Sequence, residues 1–297
     1  MSSPATPLDL ADRRALALKR ARSRAMRAVG SREAAAGFVL LAVLVLIAAL
    51  APVLALHSPE SIDSDRILAA PDLSHPFGSD ALGRDVFSRV LYAYRLSLGI
   101  SLGSVALAFL VGVPLGLAAG YFRGWIDAVL MRPIDMMLAL PALLLAISLI
   151  AIVGSGALVA LFAIAVIYLP ILARVARSSA LVVSSQGYVA ASRARGVSHT
   201  GTLLRHVLPN SIGPALIQAS VLAGFALQIE AALSFLGLGA QPPTPSLGLM
   251  LADGYQVLTQ AWWADVFPGL AIAITVVGFT LVGHGLRDRF DPYGISR

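Results

Sequence analysis

Six stretches of this chain run apolar for the length of a membrane span without a single Lys, Arg, Asp or Glu: Gly37–Leu56, Leu98–Ala119, Met136–Val153, Ala157–Ala173, Ile212–Ile229 and Val266–Leu286. About 20 apolar residues, rising about 1.5 Å each in a helix, cross a hydrocarbon core of roughly 30 Å. The rest of the composition agrees. Charged residues make up only 13% of the 297 and apolar ones 58%, with a mean hydropathy of +0.82. A soluble domain is about a quarter charged. The fold class expected is an all-α integral membrane protein with six transmembrane helices.

The first run follows basic residues, and Ala49-Leu50-Ala51 looks like a signal cleavage site. The run is long, starts late and is followed at once by Pro52, so it reads as a retained anchor. Lys and Arg in the connections set orientation. With sides alternating, 18 of the 22 fall on the side of both termini and four, in segment 57–97, on the other. Both termini and segment 174–211 are therefore expected in the cytoplasm, and the charge of +6 points to membrane orientation and lipid contact, not nucleic acid. Gly99/Gly103 and Gly112/Gly116/Gly120 form small-xxx-small faces on the second run, suited to close helix packing. Trp125, Trp262 and Trp263 fall near span ends, and Pro141, Pro170 and Pro214 lie within spans. No internal repeat is evident, which weighs against many secondary transporters.

Several chemistries are excluded or disfavoured. There is no cysteine, so disulfides and thiolate metal sites are out. Lys19 is the only lysine, and no glycine-rich loop precedes it, so the chain carries no ordinary phosphate loop. If ATP drives the work, another chain hydrolyses it. The five histidines are scattered with no partner at ligand spacing, and no bound metal is expected. No Ser/His, paired-Asp or His-Glu-x-x-His constellation supports an intramembrane enzyme. Asp127 and Asp135 flank a short turn and read as loop anchors.

One stretch does not belong to the lipid pattern. Tyr188–Asn210, "YVAASRARGVSHTGTLLRHVLPN", holds three arginines, two histidines and no acid, yet it lies between two apolar runs. Gly187–Arg195 contains good helix formers and ends at Gly196, a suitable C-terminal glycine. A second short helix is expected from Thr200 to Val207, stopping before Pro209. From composition alone, the insert equally suits a basic loop against anionic headgroups.

The insert resembles the EAA loop of ABC importer permeases. Ala190-Ala191-Ser192 stands at the Glu-Ala-Ala triplet, Gly196 follows after three residues, and nine residues later comes His206-Val207-Leu208-Pro209. Ala190 replaces the glutamate and His206 an isoleucine. "HPFGSDALGRDVFSRVLYAYRLSL" (75–98), "AGYFRGWIDAVLMRPIDMMLALP" (119–141), "EAALSFLGLGAQPPTPSLG" (230–248) and "LRDRFDP" (286–292) are similar to segments of the dipeptide, oligopeptide and nickel permeases, in particular their C-type subunit. Leu247 stands for a usual tryptophan and His284 for a common acid.

The resemblance implies a type I ABC importer permease in a bacterial cytoplasmic membrane. Its partners would be a homologous permease, two ATPase subunits that hydrolyse ATP with Mg, and an extracytoplasmic substrate-binding protein. No cofactor would be bound by this chain. The EAA loop, between helices four and five, would dock on an ATPase as a coupling helix. Its residues would be Tyr188, Ala190, Ala191, Ser192, Arg193, Arg195 and Gly196, with His206 and Pro209 holding its end. Gln218, Gln228 and Glu230 are candidates for the translocation pathway, because polar groups in a span should face protein or water. Peptides are the expected solute, with nickel chelates or another small solute as the alternative and a self-sufficient secondary transporter as a third reading. The expected division is a basic arm over 1–36, a first helix and outer segment over 37–97, and a permease core over 98–297.

Overall fold

The computed structural model describes residues 32–290, so the basic arm lies outside the described residues except for its last five. The described chain is almost wholly helical; an isolated antiparallel bridge joins Ser79 and Asp85. In chain order it has α1 (Arg32–Ala49), α2 (Ala51–Leu54), a 3-10 turn (Ser64–Arg66), α3 (Val86–Phe122), α4 (Gly124–Leu138), α5 (Ala142–Val153) and α6 (Ala157–Ser184). There follow α7 (Gly187–Ala194), α8 (His199–Thr202), a π segment (Leu203–Val207), α9 (Leu208–Phe235), α10 (Leu247–Gln256) and α11 (Trp263–Phe290). Five helices are long and apolar enough to cross a membrane, and six spans result if the bent pair α4–α5 counts as one.

The third expected span is thus not one straight helix: α4 and α5 meet at 96°. Pro141 sits at the break with an extended backbone (φ −58°, ψ 129°). It lacks an N–H and pushes Leu140 away from helical geometry. Pro170 and Pro214, by contrast, lie within continuous helices.

Two helices also extend past the charges that ended the apolar runs. α3 begins at Val86, not Leu98, because the Asp85 carboxylate accepts from Ser88 N–H and caps the first turn. Arg89, inside this helix and 1% exposed, is 3.4 Å from Asp80 and donates to the Pro59 carbonyl at 3.2 Å. α6 runs to Ser184 through Arg174 and Arg177. Asp127 takes both Arg177 nitrogens at 2.6 Å, and Asp135 takes Arg174 at 2.7 Å. The two aspartates therefore clamp α4 to α6 from within a helix, not from a turn.

Close packing at small residues holds the bundle. A side chain at Gly112, Gly116 or Gly120 of α3 would strike the backbone of α6 at Leu169, Ala173 or Arg177. Gly99 faces open space, so the expected Gly99/Gly103 face packs within the chain only at Gly103, against Leu161. Gly37 of α1 meets Leu281 and Val282 of α11, and Gly278 of α11 meets Leu41. Across helices, Tyr94 Oη donates to the Ala271 carbonyl at 3.0 Å and Ser101 Oγ to the Ala223 carbonyl at 2.7 Å. Burial of such apolar helix faces against each other leaves lipid-facing Leu, Val and Phe exposed, as a membrane protein requires.

Segment 55–85 caps the end of the bundle where α3 begins. Arg84 bonds Asp80 at 2.7 Å and Asp253 of α10 at 3.3 Å. Phe77 stacks on Phe267 at 3.9 Å. Trp263 is 7% exposed and donates to the Ser79 carbonyl at 3.0 Å, so it fastens this cap instead of sitting in the interface as expected; Trp125 and Trp262 are exposed.

Candidate functional site

At the opposite end of the bundle, the basic insert forms a short helix carried on two long ones. α6 ends at Ser184, and after two intervening residues α7 begins at Gly187. Val189 and Ser192 face inward, 1% and 0% exposed. Tyr188, Ala190, Ala191, Arg193 and Arg195 are all exposed. This is a helix with a narrow buried seam and a wide free face of alanines and arginines. Ser192 belongs to the seam, so it supports the helix and is not part of the free face.

Gly196 ends the helix. Its φ is +83°, where L side chains are rarely found. Its N–H donates to Arg193 at 2.9 Å, and Val197 N–H donates to Ser192 at 3.3 Å. These two bonds are the Schellman closure, which satisfies carbonyls a helix end otherwise leaves open. Ser198 Oγ then accepts from Gly201 N–H at 3.1 Å and caps α8. Residues Arg195 to Ser198 thus join α7 to α8.

The second half of the insert differs from the expectation. It does not stop before Pro209. From His199 to Phe235 the chain is one continuous helical element, α8 passing through the π segment into α9. Pro209 cannot donate to the carbonyl four residues back and crowds it, and the wider turn of Leu203–Val207 lies immediately before it. His206 and Pro209 are therefore parts of the shaft, not the end of a loop. Tyr188 reaches across to His206, ring centres 6.4 Å apart and edge to face.

Sequence reasoning missed a second attachment. Tyr121 Oη lies 3.1 Å from His199 Nδ1, and Phe122 lies beside the same ring at 5.8 Å. The insert is thereby tied to the last turn of α3, 78 residues away in sequence. No spacing rule in the sequence pairs these residues. The insert touches the ends of α3, α6 and α9 together.

The three polar residues proposed for the pathway do not converge. Gln228 is exposed, Gln218 is half-buried and Glu230 is 0% exposed. About 100° of rotation per residue spreads their spacings of two, ten and twelve around the helix. Glu230 is a packing hub: Ser234 Oγ donates to its Oε1 at 2.8 Å and itself accepts from Ala240 N–H at 3.2 Å. Nearby, Leu247 N–H donates to Ser97 Oγ at 3.4 Å. Glu230 thus secures the α9–α10 connection, and its position argues against lining a pathway. The histidines, scattered in sequence, do not all stay apart in space. His57 and His75 stack with ring centres 4.3 Å apart, beside Asp85.

Comparison with known proteins places this arrangement among relatives. Residues 112–293 match the family described as "Binding-protein-dependent transport system inner membrane component". The chain is 41% identical to a dipeptide transport system permease protein of Alkalihalophilus pseudofirmus, over 88% of this chain and 86% of that one. It is 42% identical to a glutathione transport system permease protein of Pectobacterium atrosepticum, over 87% and 86% of the two chains. A probable D,D-dipeptide transport system permease protein of Escherichia coli is 40% identical over 89% and 88%.

Proposed function

Because the chain belongs to the family of binding-protein-dependent transport system inner membrane components, an ABC importer permease family, we propose that it forms one half of a membrane pathway for short peptides. A homologous permease supplies the other half, and the helix α7 couples both to ATPase subunits on the cytoplasmic side. The relatives' names give dipeptides, D,D-dipeptides and glutathione, itself a tripeptide, so the solute class proposed is peptides of two or three residues. A separate binding protein delivers them from the far side, and ATP and Mg act on the ATPases, not on this chain.

One observation carries the coupling assignment. α7 has a two-residue buried seam, a free face of small and basic residues, and covalent continuity with α6 and α9. A partner that grips the free face moves both long helices, which is what a two-state coupling element needs. Arg193 and Arg195, both exposed, suit acidic groups on that partner. Orientation follows from the basic residues gathered at this end of the bundle.

The test replaces Gly196 with Val in the assembled complex. A β-branched residue at φ +83° costs about 1–2 kcal/mol and opens the Schellman turn without touching any neighbour, since nothing lies within 4 Å of an added Cβ. The expected outcome is a complex that still assembles but whose ATPase no longer responds to peptide-loaded binding protein. Full stimulation in this variant would remove the coupling role. Mass spectrometry of proteins held by a tagged chain, in gently solubilised membranes, is expected to recover a second permease and phosphate-loop ATPases.

A further inference from the structure

We propose that His57, His75 and Asp85 form a binding site for one divalent transition metal ion of the zinc class, which staples the cap segment to the start of α3. One ligand atom from each of the three residues lies within 4.8 Å of the others. Two imidazoles and a carboxylate, with a fourth position left for water, are a donor set that binds zinc. The site is independent of the peptide reading above and of the coupling helix.

The observation that asks for a ligand is Asp85. It is 2% exposed, and its Oδ1 is buried with no hydrogen-bond partner among the described residues. Its other oxygen is fully used, accepting from Ser88 N–H at 2.9 Å and Ser88 Oγ at 2.6 Å. A buried carboxylate oxygen without a donor is costly, and a cation satisfies it directly. The histidines are the groups at hand. His57 Nδ1 lies 3.8 Å from Asp85 Oδ2, and the His57 backbone N–H donates to Ser88 Oγ at 3.1 Å, which fixes that residue beside the cap of α3.

The stacked rings describe the ion-free arrangement. They are 7° from parallel, and an ion cannot lie in both ring planes at once. One ring must turn. His57 is the one free to do so: its side chain is 38% exposed and rests on the stack, whereas His75 is held at 10%. On the buried side, Arg66 Nη1 lies 2.9 Å from His75 Nδ1, which marks that nitrogen as the acceptor without an ion. Coordination through Nε2 moves the ring proton to Nδ1. An acceptor is then ready in Ser74 Oγ at 3.0 Å, which itself donates to Asp72 Oδ1 at 2.6 Å, while Arg66 gives up its contact with Nδ1 and keeps its bond to Asp72 Oδ2 at 2.7 Å. A carboxylate behind a ligating histidine is the arrangement that orients such ligands.

The test uses the full chain, purified in detergent with an affinity tag free of histidine and stripped with chelator. Co2+ serves as an optical probe and Zn2+ as a competitor. The expected result is one Co2+ per chain, displaced by Zn2+, and a Zn2+-dependent rise in unfolding temperature. His57→Ala and His75→Ala should each weaken binding by roughly 100-fold or more and abolish the thermal shift, given that even outer-shell changes cost 10–100-fold. Asp85→Asn, which keeps the helix cap, should do the same. His284→Ala, remote from the site, should bind as the unaltered chain does. His57 is the decisive position because its exposed ring can be removed without emptying the core. No Co2+ uptake by the unaltered chain, or uptake of normal affinity in His57→Ala, overturns the proposal.

Discussion

At the scale of single residues, the most constrained side chains are buried polar ones held by a neighbour's donor, as at Glu230 Oε1, although Glu230 Oε2 has no partner among the described residues. Glu230 is fully buried and linked to Ser234, and through it to Ala240. Glu230→Gln keeps an acceptor for Ser234 and is expected to hold thermal stability within about 1 kcal/mol. Glu230→Ala empties the site and strands that hydroxyl, with an expected loss of about 2–4 kcal/mol. Thermal unfolding followed by fluorescence-detected gel filtration separates the two. If both variants behave alike, Glu230 is not the hub described. Asp72 shows the same logic in water. Ser74, Arg66 and the His75 N–H donate to its carboxylate and hold it well below the usual carboxylate range. A carboxylate with a lowered value stabilises the fold above its unfolded value of about 4, and that contribution is lost as pH falls towards the folded value. Asp72→Asn should therefore speed proteolytic nicking of segment 66–75 at pH 7. The difference from the unaltered chain should narrow only in acid below pH ~4.

At the scale of elements, glycines separate packing within the chain from surface left over. A side chain at Gly116 would overlap the Ala173 carbonyl, so Gly116→Leu should drive α3 from α6 and prevent a stable, monodisperse chain. Gly99→Ala meets nothing within 4 Å and should leave the isolated chain unchanged. Gel filtration of the two variants checks both. The sequence read well at this scale wherever lipid imposed a simple rule. Charge-free apolar runs marked the five helices long enough to cross a membrane and the bent pair α4–α5, and Gly196 marked the end of α7. It read poorly where a local rule was overridden by a distant partner. Arg174 ended an apolar run on paper, and Arg89 and Arg177 lay beyond the run ends, yet the helices continue through all three, each paired with an aspartate from another segment. Pro141 and Pro214 look alike in sequence. One breaks a span and the other does not. The contacts of Tyr121 with His199 and of His57 with His75 were illegible, since residues far apart in sequence carry no shared spacing.

At the scale of the whole molecule, α7 matters through what it is bolted to. The element His199–Phe235 spans 37 residues, from the insert to the far end of the bundle, where Glu230 secures the α9–α10 connection. A displacement of the insert is passed along this shaft only if its rotation relative to α9 is fixed. The π segment Leu203–Val207 sets that rotation. A π turn amounts to one residue inserted into an α-helix, and it leaves the parts on either side turned by about 100° relative to an unbroken helix. Deleting exposed Leu204 should let the segment close as ordinary α-helix, keep the span apolar and intact, and swing α7, with Tyr188 and the arginines, away from its present direction. The expected outcome is a chain that still inserts and pairs with the proposed second permease but no longer stimulates, or no longer retains, the proposed ATPase subunits. Co-purification and peptide-stimulated ATP hydrolysis in proteoliposomes measure the two losses separately. Normal stimulation after the deletion would mean that the insert finds its partner regardless of register, and that coupling runs through the tie between His199 and α3 instead of along α9.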